Sequence, residues 1–425
     1  MGRVVGLGDW CIINVNDGGK YIVVQVKDDD STVRILKKKR FPCKQLIGQQ
    51  YGDYLEVDKA QNLQAWDRSK RLNLALKVEE EEYEKLSDNR NVKRNDPSVQ
   101  TLTADDIEEM KKNDTVRGSE IIEKVKEANA GFQEKTLFSQ EKYLIKKRKK
   151  HLSIIQIIKP TARTISEAYF NHGIQKIGYL RPDSVAQLLN LGNITSGDNV
   201  LVHETCAGLV IGAIAERLGG RGNLLSLYTE QVVPVNNALK CFNFPETIGN
   251  TYIPIPFHQL EPLANSSLED FTSLPDSFVF RKSKDLELLR RARTVIDKPV
   301  DSLVIVTKYE TPEVLLELFK YVRGSGHIVI FHQHLEPLIQ CHEMLKDSGE
   351  AVCIELRETW FRDYQVLPMR THPMMKMHGA SGYLLSAVKV LYSNLVRPPK
   401  PNKNQGPQRG SKRPQQKQQK KQKVQ

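Results

Sequence analysis

Glu204, Cys206, Gly208 and Val210 stand at alternate positions within Asn199 to Gly220, NVLVHETCAGLVIGAIAERLGG. An apolar run ends in an acid, a short turn follows, and an apolar helix-like segment begins. An open α/β fold builds a nucleotide-type cofactor site in this order, with the turn and the helix N-terminus facing the ligand. Glycines in such a turn let the backbone approach the ligand without a Cβ in the way. Counted from Glu204, an acid-x-Gly-x-Gly-x-Gly loop requires glycine at 206, 208 and 210. The chain has Cys206, Gly208 and Val210. Two of the three glycines are replaced, and a β-branched valine is poorly suited to a strained turn. The scaffold of a cofactor site is present, and its pocket is expected to be closed.

Two more positions agree. The next strand, Asn223 to Tyr228, should end in an acid able to accept hydrogen bonds from a ribose. It ends Leu227-Tyr228-Thr229, with Glu230 a residue or two out of place. The run DSLVIV from Asp301 to Val306 should deliver a polar catalytic group at its carboxyl end, where open α/β sheets bind ligands. It delivers Thr307 and Lys308, with neither Asp nor Asn. Two readings follow: a scaffold that has lost its cofactor chemistry, or an active S-adenosylmethionine-dependent RNA methyltransferase with an atypical loop. The replaced residues favour the first.

The elements that would position these residues alternate from about 180 to 396. Strands are expected at 199–203, 223–228, 251–255, 303–306, 327–331, 351–356 and 382–391, with helices between several of them, such as 312–321 and 337–346. This is the rhythm of a parallel sheet, with the last two strands paired antiparallel. Residues 1 to about 90 carry short β-type runs at 10–15, 21–26, 32–36 and 54–57, separated by Asp17-Gly18-Gly19 and by Asp28 to Ser31. Regular short strands with turn signals predict a small antiparallel barrel. Between them, Thr103 to Asp106 reads as a helix start and Ile121, Ile122 and Val125 as a buried stripe. Residues 133–150 form a third helical pattern, and SIIQIIKP is a strand halted at Pro160. The expected fold is α/β: a class I methyltransferase-like, Rossmann-like C-terminal domain with an N-terminal antiparallel β-barrel domain and a helical connector. The expected divisions are 1–95, 96–175, 176–396 and a disordered basic tail at 397–425.

Net charge is +12, but ten of the 63 Lys and Arg residues fall in 397–425, which holds no acid. The body therefore carries 53 basic against 51 acidic groups, and the global basicity is a tail effect. The tail suits loose attraction to nucleic acid, nuclear import or simple solubilisation. Within the body the charge is clustered at Lys37 to Arg40 and at Lys146, Lys147, Arg148, Lys149 and Lys150. Such runs supply phosphate contacts whose affinity falls with salt. Lys38, Lys39, Arg40 and the run 146–150 are the candidate RNA-binding residues. The six cysteines are scattered, without C-x-x-C or zinc spacing, which fits a reducing compartment and predicts no metal. His332 and His334 could share a strand face, more simply as a polar strand end than as ligands. No apolar run is long enough to cross a bilayer, and the N-terminus lacks a signal-peptide pattern, so no membrane partner is expected.

The runs ETCAGLVIGAIAERLGG, RPDSVAQLLNLGNITSGD, KYLIKKRKKH, KPTAR and LRETWFRDYQVLPMRTHPMMKMHGASGYLLS resemble one family. It is that of the non-catalytic subunits of the eukaryotic tRNA adenine-N1-methyltransferase, and the likeness covers much of 137–387. The resemblance implies a protein that binds no cofactor itself and pairs with a catalytic subunit as a heterotetramer of two heterodimers. That partner would hold S-adenosylmethionine and methylate a T-loop adenine of tRNA; the chain itself is expected in the nucleus. The chain's own residues fit this: extruding a buried base requires basic contacts spread around it. In 356–373, Arg357, Arg362 and Arg370 alternate with Trp360, Phe361 and Tyr364, a mixture expected at a subunit interface more than at a direct RNA contact. Met374, Met375 and Met377 suit an adaptable apolar contact, or core packing.

Overall fold

The computed structural model describes residues 3–16, 20–36, 39–58, 60–66, 102–112, 118–129, 132, 139–140, 142–144, 146–147, 153–230, 233–266, 283–366, 371–375, 377 and 379–391. The tail expected at 397–425 therefore lies outside the described residues, as do Lys38, Arg148, Lys149, Lys150 and Arg370.

The N-terminal part contains β1 (Trp10–Val15), β2 (Lys20–Gln25), β3 (Thr32–Leu36), β4 (Lys39–Pro42), β5 (Tyr54–Val57) and β6 (Leu63–Ala65). Helices α1 (Ala104–Lys112) and α2 (Gly118–Glu127) precede β7 (Ile154–Ile158). The start of α1 is a reciprocal cap. Thr103 N donates to Asp106 Oδ2 at 2.9 Å, and Asp106 N donates to Thr103 Oγ1 at 3.2 Å. Five strands form one antiparallel sheet in the order β2-β1-β7-β5-β6, and β3 pairs with β4 as a separate hairpin. Strand β7, some ninety residues beyond β6, lies between β1 and β5. Its Ile155 and Ile157 share a core with Cys11, Ile13 and Val15 of β1 and with Val33, Ile35 and Phe41 of the hairpin.

Strand β1 is buried on both faces because its alternate residue, Ile12, points the other way. Ile12 packs with Ile165 and Ala168 of α3 (Ala162–His172), which belongs to the second core. Thr161 caps α3: its hydroxyl accepts from Thr164 N, and Thr164 Oγ1 accepts from Thr161 N at 2.8 Å. At the start of β1, Trp10 N donates to Asn243 Oδ1 and Asn243 Nδ2 donates to Trp10 O, both at 2.7 Å.

After α3 come α4 (Pro182–Leu191), β8 (Asn199–Glu204), α5 (Leu209–Leu218), β9 (Asn223–Tyr228), α6 (Asn237–Lys240) and α7 (Glu246–Gly249). They are followed by β10 (Tyr252–Pro256), α8 (Leu260–Asn265), α9 (Ser283–Ile296), β11 (Val300–Val306), α10 (Thr311–Phe319), β12 (Val322–His332) and α11 (Glu336–Ser348). The chain closes with β13 (Ala351–Trp360), a two-stranded hairpin of β14 (Tyr364–Gln365) and β15 (His372–Pro373), and β16 (Ala380–Lys389).

Seven of these strands form a sheet in the order β10-β9-β8-β11-β12-β16-β13. The first five run parallel, while β16 pairs antiparallel with both β12 and β13. Central strands read as continuous apolar runs because helices cover both faces. Val200, Val202 and Val304 face α3, α4 and α5, whereas Leu201, Leu303 and Ile305 face α9, α10 and α11. Pro254 and Pro256 are tolerated in β10 because it is an edge strand. Gly382 carries the sharp return into β16 at φ +131°; a Cβ there would sit 2.8 Å from His332 O.

Candidate functional site

The crevice at the carboxyl ends of β8, β9 and β11 is where this sheet would hold a ligand. Groups of the chain itself lie against the loop that borders it. Glu204 closes β8, and its carboxylate accepts from Gly208 N at 2.7 Å and from Val210 N at 3.0 Å. These are donors of the α5 N-terminus, the electropositive end that ordinarily receives a ligand anion. Gly208 is the N-cap of α5 in the left-handed region (φ +85°), with Ala207 before it also left-handed at φ +56°. A Cβ on Gly208 would lie 2.6 Å from Asn236 Cβ and 2.8 Å from Leu239 Cβ. The segment leading into α6 is thus seated where a glycine loop would face its cofactor, fastened by Ala238 N donating to Ala207 O at 2.9 Å.

Val210 departs from the sequence expectation. It lies in the first turn of α5, fully buried, and not in the turn before it. The strained positions are 207 and 208, so the loop is shorter than the spacing of three alternate glycines assumed. Nothing local marked this, because α5 starts without a side-chain cap.

The ends of β8 and β11 are tied together: Thr205 N donates to Val306 O at 2.9 Å, and Lys308 N donates to Thr205 Oγ1 at 3.0 Å. His203 is buried; its ring stacks on Tyr309 at 6.1 Å and meets Phe257 edge-on at 5.3 Å. Its Nδ1 lies 3.1 Å from Leu227 O and its Nε2 has no partner, so the neutral ring donates to that carbonyl. Burial pushes the His203 pKa down, in keeping with the neutral form.

Burial pushes the Glu204 carboxyl up to about 7, against the backbone N–H groups of Gly208 and Val210, which lower it. The folded-state value therefore lies above the ordinary 4.5. Stability from this group is fully present below the unfolded value and is lost as pH rises through about 7. The loss is of the order of 3 kcal/mol. Urea unfolding at pH 5 and pH 8 is expected to show a larger fall for the native sequence than for Glu204→Gln. Equal falls would mean that this carboxylate does not titrate in that window.

Of the basic candidates, Lys39 and Arg40 lie on β4 itself, and Arg40 pairs directly across from Arg34 of β3. Both arginines are exposed. Arg34 was not among the sequence candidates; its signal, an outward position in an alternating strand, becomes visible once β4 is recognised inside the KKKR run. On a separate helical segment, Lys146 is exposed, whereas Lys147 is half-buried with its ammonium 5.1 Å from the Tyr143 ring centroid. Burial, and then the charge of Lys146, push the Lys147 pKa down.

The aromatic segment extends from the sheet edge. Strand β13 is an edge strand, and Trp360 (65% exposed), Phe361 and Tyr364 (56%) are displayed together with Val366, Met374 and Met375 (86%). Arg362 is exposed beside them. Arg357 is tied into the sheet, donating to Ser386 Oγ at 2.9 Å and pairing with Glu355. Met377 Sδ accepts from Asp363 N at 3.0 Å and helps close the hairpin. A long exposed apolar edge is a template for association. His332 and His334 lie 5.6 Å apart between ring centroids, and no group of three potential metal ligands occurs among the described residues. All six cysteines are free, with only Cys353 exposed. No described helix is long and apolar enough to cross a membrane.

Comparison with known proteins identifies relatives of the whole arrangement. The model of the Gcd10p family matches residues 4–277. The tRNA (adenine(58)-N(1))-methyltransferase non-catalytic subunit of Dictyostelium discoideum is 37% identical over 422 residues, covering 91% of this chain and 80% of that protein. The subunit of the same description from Mus musculus is 30% identical, covering 92% and 90%. Among solved structures, a SAM-dependent O-methyltransferase of Thermotoga maritima superposes with a TM-score of 0.50 at 11% identity, covering 92% of this chain and 96% of that one. That last likeness is one of fold, and it agrees with the class I methyltransferase-like architecture.

Proposed function

Because the chain belongs to the Gcd10p family, we propose that it is the non-catalytic, tRNA-binding and scaffolding subunit of a heteromeric tRNA adenine-N1-methyltransferase. The observation that carries this reading is the seating of Asn236 and Leu239 against Gly208, with Glu204 on the α5 donors. An active enzyme with an atypical loop would need the space and the donors that these residues take. The catalytic partner supplies S-adenosylmethionine and the chemistry on the adenine. This chain supplies the surface on which the partner and the tRNA are held together. The assembly is a heterotetramer of two heterodimers, a reading supported by the resemblance of the sequence motifs, and it acts in the nucleus, a reading that the basic tail at 397–425 suits.

For the partner, the proposal assigns the exposed edge of β13 and its hairpin, with Arg357, Trp360, Phe361, Arg362, Tyr364 and Arg370 as contacts. For the tRNA, it assigns Lys38, Lys39 and Arg40 with Arg34 beside them, and the run Lys146, Lys147, Arg148, Lys149 and Lys150. The placement of Arg34 and Arg40 side by side on the exposed face of the β3–β4 hairpin supports a basic surface able to contact phosphate.

Removing two phosphate contacts flattens the salt dependence of RNA binding by about 0.7–0.9 in log–log slope for each contact. In the assembled complex, Arg34→Ala with Arg40→Ala is therefore expected to weaken tRNA binding at low salt and to reduce the slope by about 1.5. Filter binding between low and moderate salt measures both. An unchanged slope would remove the hairpin from the RNA surface.

A further inference from the structure

We infer that Arg181, buried at the N-terminus of α4, is the positioning residue that holds the aromatic arm of residues 360–379 in the orientation its protein partner reads. The inference rests on the assignment of that arm to the catalytic partner, and it concerns what fixes the arm in place.

The arm needs a fixing point. Its two strands are two residues long, and none of its described residues from Trp360 to Gly379 belongs to a hydrophobic core cluster. Packing therefore does not set its direction. Its two roots, Thr359 on the outward path and Gly379 to Ser381 on the return, have to do so.

Both roots converge on Arg181, which is 5% exposed. Its Nη2 donates to Thr359 O at 3.0 Å and its Nη1 donates to Gly379 O at 2.9 Å. One planar guanidinium thus bonds the backbone of both strands where the arm leaves the sheet. Gly379 O also accepts from Phe361 N at 3.0 Å, and the Phe361 ring lies over the guanidinium at 5.1 Å. The contact reaches the first aromatic residue of the arm proper.

The guanidinium is itself held. Asp183, in the first turn of α4, accepts from Nε and Nη2 at 2.5 and 2.8 Å, a bidentate pair that offsets the cost of burying the charge. The backbone repeats the link. Arg181 N donates to Ser381 Oγ at 3.1 Å, Ser184 Oγ donates to the same atom at 2.9 Å, and Ser381 Oγ donates to Tyr179 O at 2.8 Å. Thr359 Oγ1 closes the set by donating to Gly382 O at 2.8 Å. The N-terminal end of α4 and the arm roots form one buried polar joint. A lysine could keep the charge there but could not reach both carbonyls and the carboxylate with a fork.

The test uses the full chain and its catalytic subunit. Arg181→Lys is expected to raise the Kd of complex formation at least tenfold, while hydrogen exchange quickens over 359–381 and stays unchanged in the five-stranded sheet. Trp360→Ala, which weakens binding in the native background, is expected to add little in the Arg181→Lys background, because a misdirected arm no longer presents it. Asp183→Asn loosens the same joint more gently and serves if Arg181→Lys fails to fold. An unchanged Kd for the joint variants beside a weakened Trp360→Ala would overturn the role of Arg181 alone. Fully additive effects, or exchange rising across the whole chain, would reduce Arg181 to a general stabiliser and overturn it too. An unchanged Kd for Trp360→Ala would instead overturn the assignment of the arm to the partner.

Discussion

Trp360→Ala combined with Tyr364→Ala is expected to weaken association with the catalytic partner about a hundredfold or more while leaving the isolated chain as stable as before. Both side chains are mostly in solvent and belong to no core cluster, so their removal creates no cavity. Large aromatic residues dominate interface energetics, each commonly contributing about 2 kcal/mol or more when fully desolvated by a partner. Two such losses correspond to about two to three orders of magnitude in Kd. Calorimetric titration of the partner into native and variant chains reads the effect, with thermal unfolding as the control. If affinity survives the double substitution, the exposed edge of β13 serves some other purpose.

A second large effect is expected inside the molecule. Gly212 lies on α5, and a Cβ there would fall 2.1 Å from Phe242 Cε2 and 2.6 Å from its Cδ2 and Cζ. Phe242 is buried just beyond α6 and stacks on Phe244 at 4.9 Å. The close approach of ring to helix keeps 236–242 down on the loop at Gly208. Gly212→Ala gains about 1 kcal/mol of helix propensity but forces the ring aside, and overpacking of this kind costs about 1–3 kcal/mol or more. With the ring only 2.1 Å away the cost falls at the upper end, about 3 kcal/mol, so a net destabilisation of about 2 kcal/mol is expected. Phe242→Leu, which vacates part of the ring volume, should make Gly212→Ala less harmful than it is alone. A double-mutant cycle with a coupling near zero would mean that this contact does not fasten the segment.

Much of the architecture was legible in the chain because it depends on local pattern. Strands 10–15, 32–36, 54–57 and 223–228 fall where alternating or continuous apolar runs placed them, and the antiparallel ending of the seven-stranded sheet follows from the missing helix between β13 and β16. Three features were hidden for a common reason, namely that they depend on residues distant in sequence. Strand β4 was masked by its own charge, since KKKR reads as a basic turn until Phe41 finds the N-terminal core. Pairing of β7 with both β1 and β5 could not be read from SIIQIIKP. The partners of Arg181 lie close to two hundred residues away, although Pro182 and Asp183 do mark a helix start.

The candidate site was legible in part. The replaced residues at 206 and 210 pointed to a loop poorly suited to a cofactor; the groups that lie against that loop were not announced by the sequence. Val210 belongs to the helix core, and those groups are Asn236, Leu239 and the Glu204 carboxylate. A loop's missing glycines say that a ligand is badly served; they do not say what replaces it. Among the basic residues, the sequence marked Arg40 but not Arg34, because cross-strand neighbours are set by register.

The most direct test of the central claim is calorimetric titration of S-adenosylmethionine into the isolated chain and into its complex with the catalytic subunit. The account predicts no binding by the chain alone and one site per catalytic chain in the complex. Micromolar binding by the isolated chain would contradict it, because Asn236, Leu239 and Glu204 would then have to give up their contacts with the loop at Gly208.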